Sequence, residues 1–214
     1  MKTLSLLVCS VIFSLLVTGC STLTYKDAAT PQMKGMVKIL ERDGIRIHSY
    51  VSPDNSTKVT SHIVEGPTRL VIFDAQFLVP YAKEARAYAN SLNKPIDRVI
   101  ITHAHPDHFF GVAAAFADIP AYALPKTKAI ITNVGPKMLA GNKKKMGALV
   151  PDTIVAPTHE IRLGTLTIDG VKYEFERFVD GEAGEHLIAK LPEQQVMIVQ
   201  DLGYNDVHCL LWDR

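Results

Sequence analysis

Val99-Ile100-Ile101-Thr102-His103-Ala104-His105-Pro106-Asp107-His108 carries an apolar run straight into three imidazoles and a carboxylate. A short β-branched run of this kind reads as a buried strand, and the six residues after it hold four side chains of metal-ligand type. Residues two apart on an extended or turning backbone project to the same side. His103 and His105 can therefore close on one cation while Asp107 and His108 turn toward a neighbouring position. A lone loop histidine is ordinarily a solvated or hydrogen-bonded group. Four donors at ligand spacing behind a strand read as a metal site, with room for two ions on one loop.

The flanking sequence sets this loop in a mixed fold. Val37–Leu40, Ile45–Tyr50, Val59–Val64 and Arg69–Asp74 are short β-rich runs separated by turn residues, which predicts an antiparallel meander. Val79–Leu92 has helical spacing, with Val79, Ala82, Ala85, Ala89 and Leu92 on one face. Strand Asp97–Thr102, the histidine loop and a helix over Phe109–Ala117 make one βα unit. A strand at Ala121–Leu124 and a helix from Lys126 to about Ile131 follow, and Leu139–Gly147, punctuated by glycine and lysine, reads as a loop beside the cleft. Asp169-Gly170 between Thr165–Ile168 and Val171–Phe178 is the strongest hairpin signal, and Leu187–Leu191 pairs with Val196–Gln200. The pattern gives an α/β (α+β) class, with two mixed sheets packed face to face and helices outside.

The His-x-His-x-Asp-His loop, with Asp74 ending one earlier strand and Asp201 ending a later one, resembles the metallo-β-lactamase superfamily from about Val37 to the last residue. That resemblance implies an αββα sandwich. Asp74-Ala75-Gln76-Phe77 and the stretch from Asp201 to His208 look like a hydrolase branch of the superfamily other than its antibiotic-degrading classes.

By the same resemblance, His103 and His105 hold a first metal, Asp107 and His108 a second, and Asp201 bridges them. Asp107 and Asp201 are the carboxylates expected to take part in catalysis, and Asp74 supports a ligating imidazole from behind. The third ligand of the first metal lies between two candidates. His186, which offers an imidazole to match the other two, is the favoured one, with Glu182, four residues earlier and at the family's usual spacing before Asp201, as its competitor. His208, with Tyr204 and Asn205, is expected to line the substrate pocket or to be a plain loop residue. His48, His62 and His159 carry no motif and read as structural or exposed. The late histidine that normally completes the second metal has no counterpart, so the second half of the sandwich is expected to be incomplete. The reading is of a truncated copy or a compact variant, and the apolar Leu210-Leu211-Trp212 favours the former.

Lys2, the apolar stretch Leu4–Val17 and Val17-Thr18-Gly19-Cys20 resemble a bacterial lipoprotein signal over residues 1–20, an ordinary signal peptide being the competing reading. Lipidation at Cys20 and a polar tether over 21–36 then lead into the domain at 37–214. Ser21 points to the periplasmic side of the outer membrane. Cys209 is the cysteine left in the mature domain, so no internal disulfide is expected. The 214 residues are 47% hydrophobic with a formal net charge of +1. That is enough for one core and gives no reason to invoke nucleic acid, the Lys143-Lys144-Lys145 run reading as a solvated loop.

These readings lead to an exported, lipid-anchored hydrolase that binds one or two zinc ions. Hydroxide held by the metals would attack the ester, thioester, lactone or amide carbonyl of a small molecule, a β-lactam among them. A truncated, non-catalytic metal-binding lipoprotein is the alternative. Histidine and carboxylate donors also suit iron or manganese, which leaves an iron-dependent oxygenase as a third reading.

Overall fold

A computed structural model describes residues 25–28 and 32–203. The expected signal segment, Cys20 as the expected acyl acceptor, and Tyr204, Asn205, His208 and Cys209 lie outside them.

The first sheet opens as the expected meander. β1 (Tyr25–Asp27), β2 (Met36–Arg42), β3 (Ile45–Val51), β4 (Thr60–Glu65) and β5 (Leu70–Phe73) pair antiparallel in chain order. Asp43 (φ 38) and Gly44 (φ 81) form the left-handed pair of a tight hairpin between β2 and β3. From β5 the chain switches to parallel crossovers. Helix α1 (Val79–Ser91) leads to β6 (Ile96–Ile101), and α2 (Pro106–Gly111) with its π-helical continuation Val112–Phe116 leads to β7 (Ala121–Ala123). Helix α3 (Pro125–Met146) leads to the short edge strand β8 (His159–Glu160). The second sheet is antiparallel, in the order β12 (Val196–Ile198), β11 (Glu185–Leu191), β10 (Val171–Val179), β9 (Gly164–Ile168).

Burial on both faces explains the apolar run Leu70–Phe73 of β5 and the Val99, Ile100 and Ile101 end of β6. Ile72, Val99 and Ile101 face the helices, packing with Tyr81, Ala85, Phe109, Phe110 and Ile131. Their neighbours Val71, Phe73 and Ile100 face the other way, against Tyr173, Phe175, Leu187 and Ala189 of the second sheet. The described residues thus form a helix layer and two sheets, and all three α-helices pack on the first sheet. The Asp169-Gly170 turn forms as expected, at φ 51 and 77. The Asp169 carboxylate also reaches across to the first sheet, accepting from Thr68 N (2.6 Å) and Arg69 N (2.8 Å).

Two segments differ from the sequence reading. Leu139–Gly147 is not a loop: α3 runs on to Met146. Thr127, Ile131, Gly135 and Leu139 recur every four residues on its buried side, and that stripe outweighs the bond lost at Pro136. The lysine run sits in the last turn, where cations complement the helix dipole. Lys143 donates there to the carbonyls of Val150 and Pro151, both at 3.2 Å, and pairs with Asp152 at 2.6 Å. Within the expected tether, Tyr25–Asp27 is an edge strand on β2, because ladder pairing uses backbone groups that polar side chains leave free.

Candidate metal centre

The site is assembled where the parallel strands β5 and β6 end side by side. Asp74 N donates to Ile100 O at 2.9 Å, and the chain then turns through left-handed conformations at Asp74 (φ 59) and Gln76 (φ 76). That turn aims a fully buried carboxylate under the histidine loop. Asp74 Oδ1 accepts from Thr102 N (2.8 Å), and Oδ2 accepts from Thr102 Oγ1 (2.7 Å) and His108 Nδ1 (2.7 Å). The turn is clamped to α2 by Ala75 N to His108 O (2.8 Å) and Gly111 N to Gln76 O (2.9 Å).

These bonds settle the far nitrogen of two imidazoles. A carboxylate oxygen only accepts, so His108 carries a proton on Nδ1, and its Nε2 is turned inward toward Asp201 Oδ2 at 3.2 Å, where a cation would replace a second proton. Thr102 gives its hydroxyl proton to Asp74. Its oxygen then accepts from His103 Nδ1 at 3.2 Å, which bares Nε2 of His103. Hydrogen bonding to the far ring nitrogen is what orients a metal-binding imidazole.

The inward ring nitrogens face carboxylates. His103 Nε2 lies 3.6 Å from Glu182 Oε2 and 3.8 Å from Asp201 Oδ2, and His105 Nδ1 lies 2.9 Å from Glu182 Oε1. His103 Nε2 and Glu182 Oε2 are buried and have no hydrogen-bond partner, although a buried polar atom without one is costly. Two donors about 2.0–2.1 Å from a zinc ion at the tetrahedral angle stand roughly 3.3–3.4 Å apart. The orphaned pair therefore fits a shared divalent cation, and His103, His105, Glu182 and Asp201 can meet at one point. A second group adjoins it: His108 Nε2 is 3.2 Å from Asp201 Oδ2 and 3.3 Å from Asp107 Oδ2. Asp201 Oδ2 belongs to both groups.

Electrostatics follow the same division. Burial, reinforced by the imidazoles of His108, His105 and His186, pushes His103 well below the usual histidine range, so it stays neutral and able to ligate. Burial also opposes charge on His105 and His108, but carboxylates prevail. Glu182 and Asp107 raise His105, and Asp74, Asp107 and Asp201 raise His108. Asp107 is held low despite its burial, chiefly by His108. The donor set is rich in anions, as a site for divalent cations requires.

The structure brings Glu182 into the group in place of the favoured His186. His186 is fully buried beside it, its ring 4.5 Å from that of His103, but its Nε2 accepts from Ala183 N at 2.8 Å. It braces the loop that carries Glu182. His48 lies apart, bonded to Glu65 (2.9 Å) and Tyr88 (2.7 Å), His62 bonds Ser49 (2.9 Å), and His159 is exposed on β8. Thr102 was missed by sequence reasoning. Its only signal is its position, a hydroxyl immediately before the first histidine.

Replacing Asp74 with alanine is expected to leave Thr102 N, Thr102 Oγ1 and His108 Nδ1 without their acceptor. The predicted cost is about 3 kcal/mol or more in stability of the metal-free chain and roughly 10- to 100-fold in metal affinity. Thermal unfolding and a zinc titration of the variant check it. Wild-type values in both would remove Asp74 from the site.

The sequence profile of the metallo-beta-lactamase superfamily matches residues 56–186. Among characterised proteins, the chain is 28% identical to an alkyl/aryl-sulfatase of Saccharomyces cerevisiae over 69% of this chain and 28% of that enzyme. It is 27% identical to a linear primary-alkylsulfatase of Pseudomonas over 64% of this chain and 32% of that one. The chain thus spans about a third or less of the length of these relatives. Among solved structures, a metallo-beta-lactamase from Pontibacter korlensis superposes with a TM-score of 0.57 at 18% identity, covering 75% of this chain and 69% of that one.

Proposed function

The chain belongs to the metallo-β-lactamase superfamily, and from that premise we propose that it is a metal-dependent ester hydrolase whose substrate is an organic sulfate. The observation that carries the hydrolase reading is the orphaned pair His103 Nε2 and Glu182 Oε2, 3.6 Å apart inside a cluster of three histidines and four carboxylates. The sulfate ester, in place of the carbonyl ester, thioester, lactone or amide expected from sequence, is supported by the names of the relatives, which are alkylsulfatases. In this reading His103, His105 and Glu182 would hold one zinc ion and Asp107 and His108 another, with Asp201 within reach of both. Zinc ions there would lower the pKa of bound water and polarise the scissile ester.

The chain's own residues do the rest. Asp74 and Thr102 hold Nδ1 of His108 and His103, so that Nε2 of each ring is aimed inward. Asp107, partly open to solvent, is placed to accept the proton released as water is consumed. The balance is one ester and one water giving one alcohol and one hydrogen sulfate.

Export, with lipid attachment at Cys20 on the periplasmic side of an outer membrane, is part of the proposal. It is supported by the Lys2, Leu4–Val17 and Cys20 pattern. A Cys20→Ser variant that still takes up labelled fatty acid would contradict it.

The test of activity is the full chain reconstituted with zinc and offered decyl sulfate, a carbonyl ester and a β-lactam. Release of alcohol and sulfate from the first, lost on chelation, is expected. Turnover of the carbonyl substrates alone would overturn the sulfate assignment, and no turnover of any would favour the non-catalytic metal-binding protein.

A further inference from the structure

A concavity lies beside the loop that carries Glu182. Strands β6, β7 and β8 run parallel, so their C-terminal ends line one edge of the first sheet, where ligands of open α/β sheets bind. The end of β6 carries the histidine loop. Beyond the ends of β7 and β8 lies a cleft of about 820 Å³, within the range of small-molecule sites.

The cleft and the metal cluster share a wall. Glu182 lies on the metal side of the loop entering β11. Two residues on, the Lys126 ammonium stands 3.6 Å from where a Cβ on Gly184 would be. Glu185, the next residue, accepts from Thr127 N at 3.1 Å and from Thr127 Oγ1 at 3.2 Å, fixing the start of α3 against this loop.

The lining has a definite chemistry. Leu124, Ile161 and Leu163 supply an apolar strip. Four cations surround it, Lys126, Lys128, Arg162 and Arg177, against two carboxylates, Glu160 and Glu185. Lys128 pairs with Glu160 at 3.6 Å, and Arg177 reaches Glu185 only at 3.9 Å. Lys126 and Arg162 have no acidic partner among the described residues.

We propose that this cleft receives the non-reacting end of the substrate, and that this end is an apolar chain bearing a second anionic group, a carboxylate or another sulfate. The inference rests on the hydrolase reading. The ester would lie at the metal cluster, the chain along Leu124, Ile161 and Leu163, and the far anion between Lys126 and Arg162. A monoanionic alkyl sulfate would leave both cations unused.

The test uses the full chain and the variants Lys126→Gln, Arg162→Gln and their double. The first arm titrates metal-free protein with decanedioate, an unhydrolysable dianion. Each single variant is expected to weaken binding about threefold to fivefold, and the double about tenfold, with added salt reducing the difference. The second arm compares zinc-loaded hydrolysis of decyl sulfate with decyl sulfate carrying a terminal carboxylate. The double variant should raise KM for the carboxylated substrate alone, leaving kcat and the plain substrate unchanged. Equal effects on both substrates, or decanedioate binding indifferent to the double variant, would overturn the proposal. If neither sulfate is hydrolysed, the hydrolase reading fails, and the decanedioate titration alone decides the cleft.

Discussion

Glu182→Gln is expected to fold and to lose the first metal. The substitution preserves shape but removes the anion that faces His103 Nε2 at 3.6 Å and His105 Nδ1 at 2.9 Å. Losing a group that only supports a ligand costs roughly 10- to 100-fold in metal affinity, so losing the ligand itself should cost more than about 100-fold at that position. Sulfate ester turnover should fall with it. His186→Gln is the control that separates the two candidates. An amide oxygen can still accept from Ala183 N, so this variant should bind metal within about tenfold of the wild type. Competition against a chromophoric chelator reads both. A Glu182→Gln chain that keeps full affinity while His186→Gln loses it would return the ligand role to the histidine.

Gly111→Ala should damage fold and site together. A Cβ at this position would stand 1.7 Å from Ala75 O and 2.9 Å from Ala82 Cβ. Neither can yield cheaply. The Ala75 carbonyl belongs to the turn that aims Asp74, and Ala82 is buried on α1. The clash drives α2, which carries His108, away from the turn that orients it, and breaks the Gly111 N to Gln76 O bond. Overpacking costs typically about 1–3 kcal/mol where side chains can shift, and against backbone about 4 kcal/mol is expected. The metal-free variant should unfold well below the wild-type midpoint by circular dichroism and bind zinc poorly when cooled. An unchanged midpoint would mean that this packing does not hold the site.

The candidate site was legible in sequence where its residues share one stretch of backbone. His103, His105, Asp107 and His108 follow one strand, and their spacing alone brings them together. Asp74 and Asp201 were picked out by the family resemblance, and the structure brings both beside that loop, Asp74 from the end of β5 and Asp201 from a short turn after β12. The choice between Glu182 and His186 was not legible. It depends on the path of the loop through Asp180 (φ 58) and on one backbone amide, Ala183 N, which occupies the imidazole. Neither leaves a mark in residue type. The same holds for α3: glycine, proline and lysine in its second half read as loop locally, and only its buried stripe against the first sheet keeps it helical. The cleft beside β8 was also invisible, since its cations come from α3, β10 and the segment after β8 and meet only in the folded chain.

The most direct test of the central claim is a count of zinc ions bound by the full chain after removal of metal and titration. The paired groups meeting at Asp201 predict two ions per chain, the first lost selectively in Glu182→Gln. A chain that binds no zinc, or binds the same number without Glu182, would contradict the account.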